Sequence, residues 1–359
     1  MDLSLKTDNM KKILAAALML LSLAAGAQTV TAPAPSDLAQ GVYAGGYKSH
    51  VQGIAVDREK GYMYMSFTTV FLKTDLQGNV LASMSGIPGH LGAMTLNPED
   101  GKVYASLEFK DDEIGRGIAR TLGIAQPKSG ESVFYVAVID VDRMDRPDMD
   151  AQKDGVFKTV CIRDAVRDYA DTVTNQGTEM PHRYGCSGID GVTFAPAFGS
   201  RSGRMYLYVA YGIYSDNKRT DNDYQVLLCY DVRSWDRRYA REVVYDAVHQ
   251  SGPEKPLRKY FVRTMNTSWG VQNMGYDPFT GRMYMMVYRG RKSGCPNFST
   301  YAVDMASKPF KAALQGNDDT LHKEGRVWQL PLSQVGMHDE ATDTWGWNFK
   351  YGSTGFCPL

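Results

Sequence analysis

The sequence predicts an all-β chain folded as a β-propeller, and three observations support that prediction. One phrase recurs four times, at residues 52–64, 92–104, 190–206 and 272–284. Each copy has a short apolar run, a turn rich in Asp, Asn, Pro and Gly, and a second run rich in Tyr, Met and Val. Further runs in which apolar and polar residues alternate follow each copy, whereas residues 164–173 have the best helical pattern. Repeated units of four antiparallel strands are therefore expected, with a two-sheet sandwich as the alternative architecture.

Each repeated phrase is predicted to be a β-hairpin. In the first copy Asp57 opens the turn and Gly61 closes it with a positive φ, a conformation that glycine adopts without strain. Residues 70–84 carry two more strands around a Gly-Asn turn. Third strands are expected at residues 132–141, 224–232 and 299–305, and outer strands at 156–162, 241–247 and 326–332.

The C-terminal region favours a fifth blade. Trp345-Gly346 repeats the Trp269-Gly270 that precedes the fourth copy, so Asn348 is expected on a fifth inner strand. N-terminal strands around residues 41–47 would complete this blade and remove an open sheet edge. Six blades remain the alternative if an insertion hides one.

The first 27 residues are predicted to be a signal peptide. Two lysines precede an apolar run, and Ala25-Gly26-Ala27 forms a cleavage signal near Ala27-Gln28. Residues 1–9 are interpreted as a start-site extension. The mature chain, 28–359, is expected to be one propeller domain exported to the periplasm or the extracellular space. No later segment resembles a membrane helix, so membrane insertion is not expected.

Charge and cysteine content narrow the range of partners. The formal net charge is zero, which argues against nucleic acid as a partner, and a monomer is expected. The five cysteines leave at least one thiol unpaired in a single chain. Cys229 lies in an apolar run and is predicted to be a buried thiol, whereas pairing among Cys161, Cys186, Cys295 and Cys357 stays open.

The phrases GIAVDREKGYMY and NPEDGKVYAS resemble the inner hairpins of NHL-, YVTN- and SMP-30-like propeller repeats. The resemblance covers four short segments and implies the fold. Members of these groups include calcium-dependent lactonases, lyases, scaffolds and binding modules. In the SMP-30-like enzymes an N-terminal acid and Asn and Asp on inner strands hold a metal ion. At the matching inner-strand position this sequence has Gln52, Asp190 and Gln272.

The start of the inner strands is the expected functional site. Alternation places two columns of residues on one strand face, which predicts that six polar side chains converge at the channel mouth. They are His50, Gln52, His90, Asp190, Gln272 and Asn348. Such a set would suit Ca²⁺ or another divalent metal with Asp190 as ligand, or a general base among His50, His90 and Asp190. Alternatively, these groups line a water-filled channel.

Two further groups are candidate ligand-binding residues. His182 and Arg183 lie in a loop before Asp190, where they could receive a carboxylate or a phosphate. Trp269 and Trp345 stand at predicted strand starts, where they would either stack on sugar rings or pack between blades. The sequence therefore favours binding of a small molecule, glycan or protein, with a lactonase-like metal-dependent hydrolase and a structural scaffold as alternatives.

Overall fold

The computed structural model describes residues 39–47, 49–125, 128, 130–244, 247–266, 268–315 and 324–358. The predicted signal peptide and its cleavage site lie outside these residues. Within the described part the chain is an all-β propeller of four blades, so the prediction of five or six blades is wrong.

The first two blades each contain four antiparallel strands. Their inner hairpins are the first two copies of the repeated phrase. Blade 1 comprises β1 (Val51–Asp57), β2 (Tyr62–Phe67), β3 (Val70–Asp75) and β4 (Val80–Ser85). Blade 2 comprises β5 (His90–Leu96), β6 (Val103–Phe109), β7 (Val133–Ile139) and β9 (Phe157–Cys161). The short β8 (Met149–Asp150) extends blade 1, and β15 (Arg241–Glu242) extends blade 2.

Blades 3 and 4 contain the third and fourth copies. Blade 3 comprises β12 (Cys186–Ala195), β13 (Tyr206–Ile213), β14 (Tyr224–Tyr230) and β16 (Arg258–Arg263). Blade 4 comprises β17 (Val271–Asp277), β18 (Arg282–Val287) and β19 (Thr300–Asp304). The outer position of blade 4 is occupied by Trp347, which forms an isolated β-bridge with Thr300. Trp347 follows β23 (Thr344–Gly346), and β23 pairs with β22 (Met337–Asp339).

The predicted turn chemistry of the repeated hairpins is confirmed. Asp57 Oδ1 accepts a hydrogen bond from the Lys60 amide at 2.9 Å, and Gly61 has φ 72°. In the fourth copy Asp277 Oδ1 accepts from the Phe279 amide at 2.9 Å, and Gly281 has φ 66°. In these two copies the Asp and the Gly therefore serve the turn itself.

The inner strands surround a narrow centre. β1 packs against β5, β5 against β12, and β12 against β17, while β5 and β17 also meet across the ring. Buried apolar side chains such as Phe134 and Val209 fill the space between blades 2 and 3, and Met274 and Leu227 help to fill that between blades 3 and 4. The inner strands approach closely enough for polar side chains of different blades to contact one another, as Gln272 and Asp190 do.

The second Trp-Gly pair, Trp345-Gly346, does not begin a fifth inner strand. Residues 344–347 lie at the outer edge of blade 4, where the Trp347 amide donates to the Thr300 carbonyl at 2.9 Å. The seam between blades 1 and 4 is instead filled by segments outside the β-strands. Phe356 and Pro358 pack on Gly275 of β17, Gly355 packs on Ile54 of β1, and residues 42–47 contribute to the apolar cluster on blade 1.

Blade 3 carries two additional strands. β20 (Phe310–Ala313) and β21 (Arg326–Leu330) form an antiparallel pair that follows blade 4 in the chain. β21 pairs in parallel with β16, which makes the sheet of blade 3 six-stranded. The outer strand expected at residues 326–332 therefore forms, on the neighbouring blade.

Within the described ranges, three α-helices lie in the connections between strands. They are α1 (Glu113–Leu122), α2 (Arg163–Ala170) and the single-turn α3 (Trp235–Arg238). α2 confirms the helix expected near residue 164, whereas α1 is not foreseen. The remaining short elements are the hairpin of β10 (Thr172–Asn175) and β11 (Thr178–Pro181) and two 3₁₀ turns, Arg183–Gly185 and Gly352–Thr354. None of the helices in the described ranges has the length and apolar character needed to cross a membrane.

Each of the five cysteines is a free thiol in the structure. Cys161, Cys186 and Cys229 are buried, and Cys295 and Cys357 are half-buried. Burial raises the pKa of the Cys186 and Cys229 thiols, which makes them poor nucleophiles at neutral pH. The prediction of a buried Cys229 thiol is confirmed.

Candidate functional site

Two residues singled out from the sequence, His90 and Asp190, meet where the inner strands begin, together with Glu108. One ligand atom of each lies within 4.8 Å of the other two. His90 and Glu108 are direct partners in the β5–β6 ladder, so their side chains share a sheet face. Asp190 lies in β12 at a register shift between Ile189 and Val192, and such a bulge redirects a side chain.

The Glu108 carboxylate joins blade 2 to blade 3. Its Oε1 accepts a hydrogen bond from the Ile189 amide at 3.1 Å, and its Oε2 lies 2.8 Å from Lys110 Nζ. Lys110 follows β6 and also donates to the Ser187 carbonyl at 3.2 Å, with Asp112 Oδ2 3.5 Å away. Both side chains of the Glu108–Lys110 pair are buried. The pair therefore connects two blades, and Lys110 also has the Asp112 carboxylate within reach.

Asp190 receives its polar contact from blade 4. Gln272 Nε2 donates to Asp190 Oδ2 at 3.1 Å, so two of the six residues predicted to converge at the channel mouth are in contact. Asp190 Oδ1 lies beside Gly92, 4.0 Å from the position that a Cβ on this glycine would take. Ser106 Oγ lies 2.6 Å from the same position. This hydroxyl is buried and has no hydrogen-bond partner in the described part of the chain.

Glycines make room for the two carboxylates. Gly188 has φ 128°, and a Cβ there would lie 2.0 Å from Glu108 Oε1. A Cβ on Gly212 of β13 would lie 2.6 Å from Asp190 Oδ2. Any side chain at either position would displace a carboxylate, so the cluster depends on both glycines.

Burial sets the protonation of the cluster. It raises the pKa of Glu108 to about 8, although Lys110 acts in the opposite direction, and it raises the pKa of Asp190 to about 6. The two carboxyls titrate as a coupled pair, because the charge of Asp190 adds to the rise in the pKa of Glu108. Burial, helped by the charge of Lys110, lowers the pKa of His90 to about 4. His90 is therefore neutral, and its ring makes no hydrogen bond to any described residue.

Two other members of the predicted column stay at the margin of this cluster, and one lies outside it. His50 is exposed, although it is close enough for its charge to lower the pKa of His90. Gln52 is half-buried, and its backbone carbonyl accepts a hydrogen bond from Asn273 Nδ2 at 3.2 Å. Asn348 is exposed beyond the outer strand of blade 4, so the prediction that it faces the channel is wrong.

The loop residues His182 and Arg183 have protein partners. His182 Nδ1 lies 2.5 Å from the Tyr169 carbonyl, and the two rings pack with centroids 4.3 Å apart. Arg183 donates to Asp171 at 2.6 Å and to Glu324 at 2.7 Å. These carboxylates already match the charge of Arg183, so this loop is less suited to an anionic ligand than its sequence suggests.

The two tryptophans have different surroundings. Trp269 is 38% exposed and packs edge-on against Tyr288, with ring centroids 5.8 Å apart. Burial, and after it the charge of Asp190, raises the pKa of Tyr288, so the Tyr288 hydroxyl is within electrostatic range of that carboxylate. Trp345 lies in β23 at the outer edge of blade 4 and stacks on His338 at 4.3 Å, so it does not start an inner strand.

Glu108, Lys110 and Ser106 are the site residues that the sequence interpretation missed. Ser106 and Glu108 lie on the second strand of blade 2, and Lys110 is the residue directly after Phe109, with which that strand ends. The missed signal is a polar stripe of period two, since alternate residues of an extended chain face the same side. Charged side chains at the end of a buried strand indicate a polar partner.

Neither a protein-family model nor a curated protein sequence matches the chain. Among solved structures, a protein of unknown function from Bacteroides caccae aligns at 10% identity over 82% of this chain and 90% of its own, with TM-score 0.30. The Cps50 (Swd1) β-propeller domain of Myceliophteria thermophila aligns at 11% identity over 82% and 76%, with TM-score 0.31. The Dos1 propeller aligns at 8% identity over 79% and 70%, with TM-score 0.26. At these scores the assignment as a propeller rests on the sheet topology of the chain itself.

Proposed function

We propose that this chain is an exported, monomeric β-propeller that binds a small polar ligand, a carbohydrate in the first instance, where its inner strands begin. The observation that supports this most is the convergence of hydrogen-bonding groups from three blades. His90 and Lys110 come from blade 2, Asp190 from blade 3 and Gln272 from blade 4. Polar groups directed toward one point of a propeller centre are typical of a ligand site.

The aromatic pair beside the cluster favours a carbohydrate. Trp269 exposes part of its ring next to Tyr288, and Tyr288 lies near Asp190. A sugar presents an apolar face for stacking and hydroxyls for carboxylate and amide groups. Trp269 and Asp190 together would supply both kinds of contact.

The test is calorimetric titration with glucose, galactose, N-acetylglucosamine and galacturonate up to millimolar concentration, in the presence of EDTA. We expect one of these sugars to bind, and Trp269→Ala to weaken its binding roughly 2- to 13-fold through loss of stacking. Phe279→Ala is the matched control, because Phe279 is an exposed aromatic residue in the β17–β18 turn at the other end of blade 4. Absence of binding by all four sugars, or equal weakening by both variants, would overturn the carbohydrate proposal.

A metal-dependent hydrolase is the second candidate function. One observation favours it, namely the mutual approach of ligand atoms from His90, Glu108 and Asp190. With these three as ligands, the exposed His50 is the group left to act as general base. The test is hydrolysis of a γ-lactone and of p-nitrophenyl acetate by zinc-loaded protein and by the Asp190→Asn variant. Equal rates for the two proteins would exclude hydrolysis at this site.

A further inference from the structure

The spacing of the cluster suits a metal ion. A tetrahedral Zn²⁺ with bonds of about 2.0–2.2 Å holds its ligand atoms about 3.3–3.6 Å apart. The ligand atoms of His90, Glu108 and Asp190 lie within 4.8 Å of one another, so modest side-chain rotations would bring all three onto one ion. One imidazole nitrogen with two carboxylate oxygens is a donor set for Zn²⁺ and related first-row ions, and three protein ligands leave a position open for a substrate or water.

One buried polar group without a partner, the Ser106 hydroxyl, lies beside the half-buried His90 ring and its two carboxyl neighbours. The His90 ring has no hydrogen bond to any described residue, although it faces two carboxyl groups. Independently, the Ser106 hydroxyl is 1% exposed and has no partner among the described residues. It lies beside Gly92, on the side where Asp190 Oδ1 also lies. Buried polar groups without partners are uncommon and often mark a water or an ion.

Lys110 is the obstacle to a metal ion at this site. Its ammonium lies 2.8 Å from Glu108 Oε2, where a cation would have to bind. The same ammonium has Asp112 Oδ2 at 3.5 Å and the Ser187 carbonyl at 3.2 Å. A small rotation of the lysine chain would therefore transfer its charge from Glu108 to Asp112 without leaving the ammonium unpaired.

We propose that His90, Glu108 and Asp190 bind a divalent metal ion of the Zn²⁺ class in exchange for the Lys110 ammonium, which moves to Asp112. Lys110 thereby regulates the occupancy of the site. The empty site holds a lysine that neutralises Glu108, and the loaded site holds a metal ion that replaces it. A catalytic role for this metal ion rests on the second candidate function. Metal binding itself requires no substrate.

The experiment is calorimetric titration of EDTA-treated, dialysed full-length protein with Zn²⁺, supported by the visible absorption of bound Co²⁺. We expect one Zn²⁺ per wild-type chain and at least 100-fold weaker binding by Asp190→Asn and by His90→Ala. Removing the competing charge in Lys110→Met should strengthen binding at least tenfold. Circular dichroism and thermal melting would establish that each variant is folded.

Lys259→Met is the matched control. Lys259 bridges two partly buried carboxylates, Asp164 and Asp168, in a similar lysine–carboxylate cluster that lacks a histidine. Its removal should leave Zn²⁺ affinity unchanged. If Lys110→Met binds Zn²⁺ no more tightly than wild type, the exchange is wrong. If neither protein binds Zn²⁺, or if Asp190→Asn binds it normally, the metal centre itself is wrong, while the sugar titrations in EDTA judge the carbohydrate proposal separately.

Discussion

Gly212→Ala should disturb the carboxylate cluster by space alone. A Cβ at this position would lie 2.6 Å from Asp190 Oδ2 and 2.5 Å from Ser187 Oγ, where ordinary contacts begin at 3.4 Å. The φ of Gly212 lies outside the left-handed region, so alanine adds no backbone strain there. Asp190 must therefore shift, which disturbs the hydrogen bond that it accepts from Gln272.

The expected loss in the free energy of unfolding is about 2–4 kcal/mol. Overpacking of a tightly filled interior costs about 1–3 kcal/mol, and weakening the hydrogen bond to Asp190 adds about 1 kcal/mol. Urea denaturation followed by tryptophan fluorescence would measure it. The double variant Gly212→Ala/Asp190→Ala should recover part of the loss, because its carboxylate no longer meets the new methyl group.

Gly117→Ala supplies the control for this substitution. Gly117 lies within α1, and its Cβ would meet only the end of the flexible Arg120 side chain, at 3.8 Å. Alanine in a helix interior should raise the free energy of unfolding by about 0.5–1 kcal/mol. If Gly212→Ala is as stable as wild type, or if removal of Asp190 restores nothing, the close packing described for this cluster is refuted.

Three further predictions concern other parts of the molecule. Truncation after Gly355 should lower the free energy of unfolding by about 3–5 kcal/mol in urea titrations, because Phe356 and Pro358 fill the seam between blades 1 and 4; an unchanged midpoint would contradict that role. Burial lowers the pKa of His249 below 6.5, so its contribution to stability is complete above that pH and is lost as the pH falls through the lowered value. His249→Gln should therefore flatten the decline of melting temperature on the acid side, and an unaltered slope would exclude His249 as its cause. Ellman's reagent should detect all five thiols in denaturant, and under native conditions only Cys295 and Cys357 should react, slowly; rapid native reaction of more than two thiols would contradict the burial of the others.

The four hairpins could be predicted from the sequence because their signals are local. A turn that needs Asp and then Gly, as at Asp57 and Gly61, has the same requirement wherever it occurs. The prediction of a fifth blade was wrong because the Trp-Gly pairs at 269–270 and 345–346 serve different strands, one before an inner strand and one at an outer edge. A Cβ on Gly270 would lie 2.4 Å from the Tyr211 carbonyl, and one on Gly346 would lie 2.7 Å from the Thr300 carbonyl. Both glycines permit a close approach, but the sequence does not say which strand approaches.

The candidate site was predictable only in part, for a related reason. His90 begins β5 and Asp190 lies within β12, and the position of these inner strands follows from the repeat. Glu108 lies on a second strand and Lys110 follows that strand, where periodicity indicates the face of the sheet but not the blade that packs on it. Lys110 contacts the Ser187 carbonyl of the next blade. This contact depends on how tightly the blades pack around the centre.

The six-stranded sheet of blade 3 bears on how the chain folds as it is synthesised. β16 completes the fourth place of this sheet, but its outer edge is covered only when β21 arrives, more than sixty residues later. Until then a nascent chain exposes a strand edge that can pair with other chains. A ribosome that stalls within blade 4 would hold that edge open. The late hairpin therefore makes chaperone protection during translation most valuable between the emergence of residue 263 and that of residue 330.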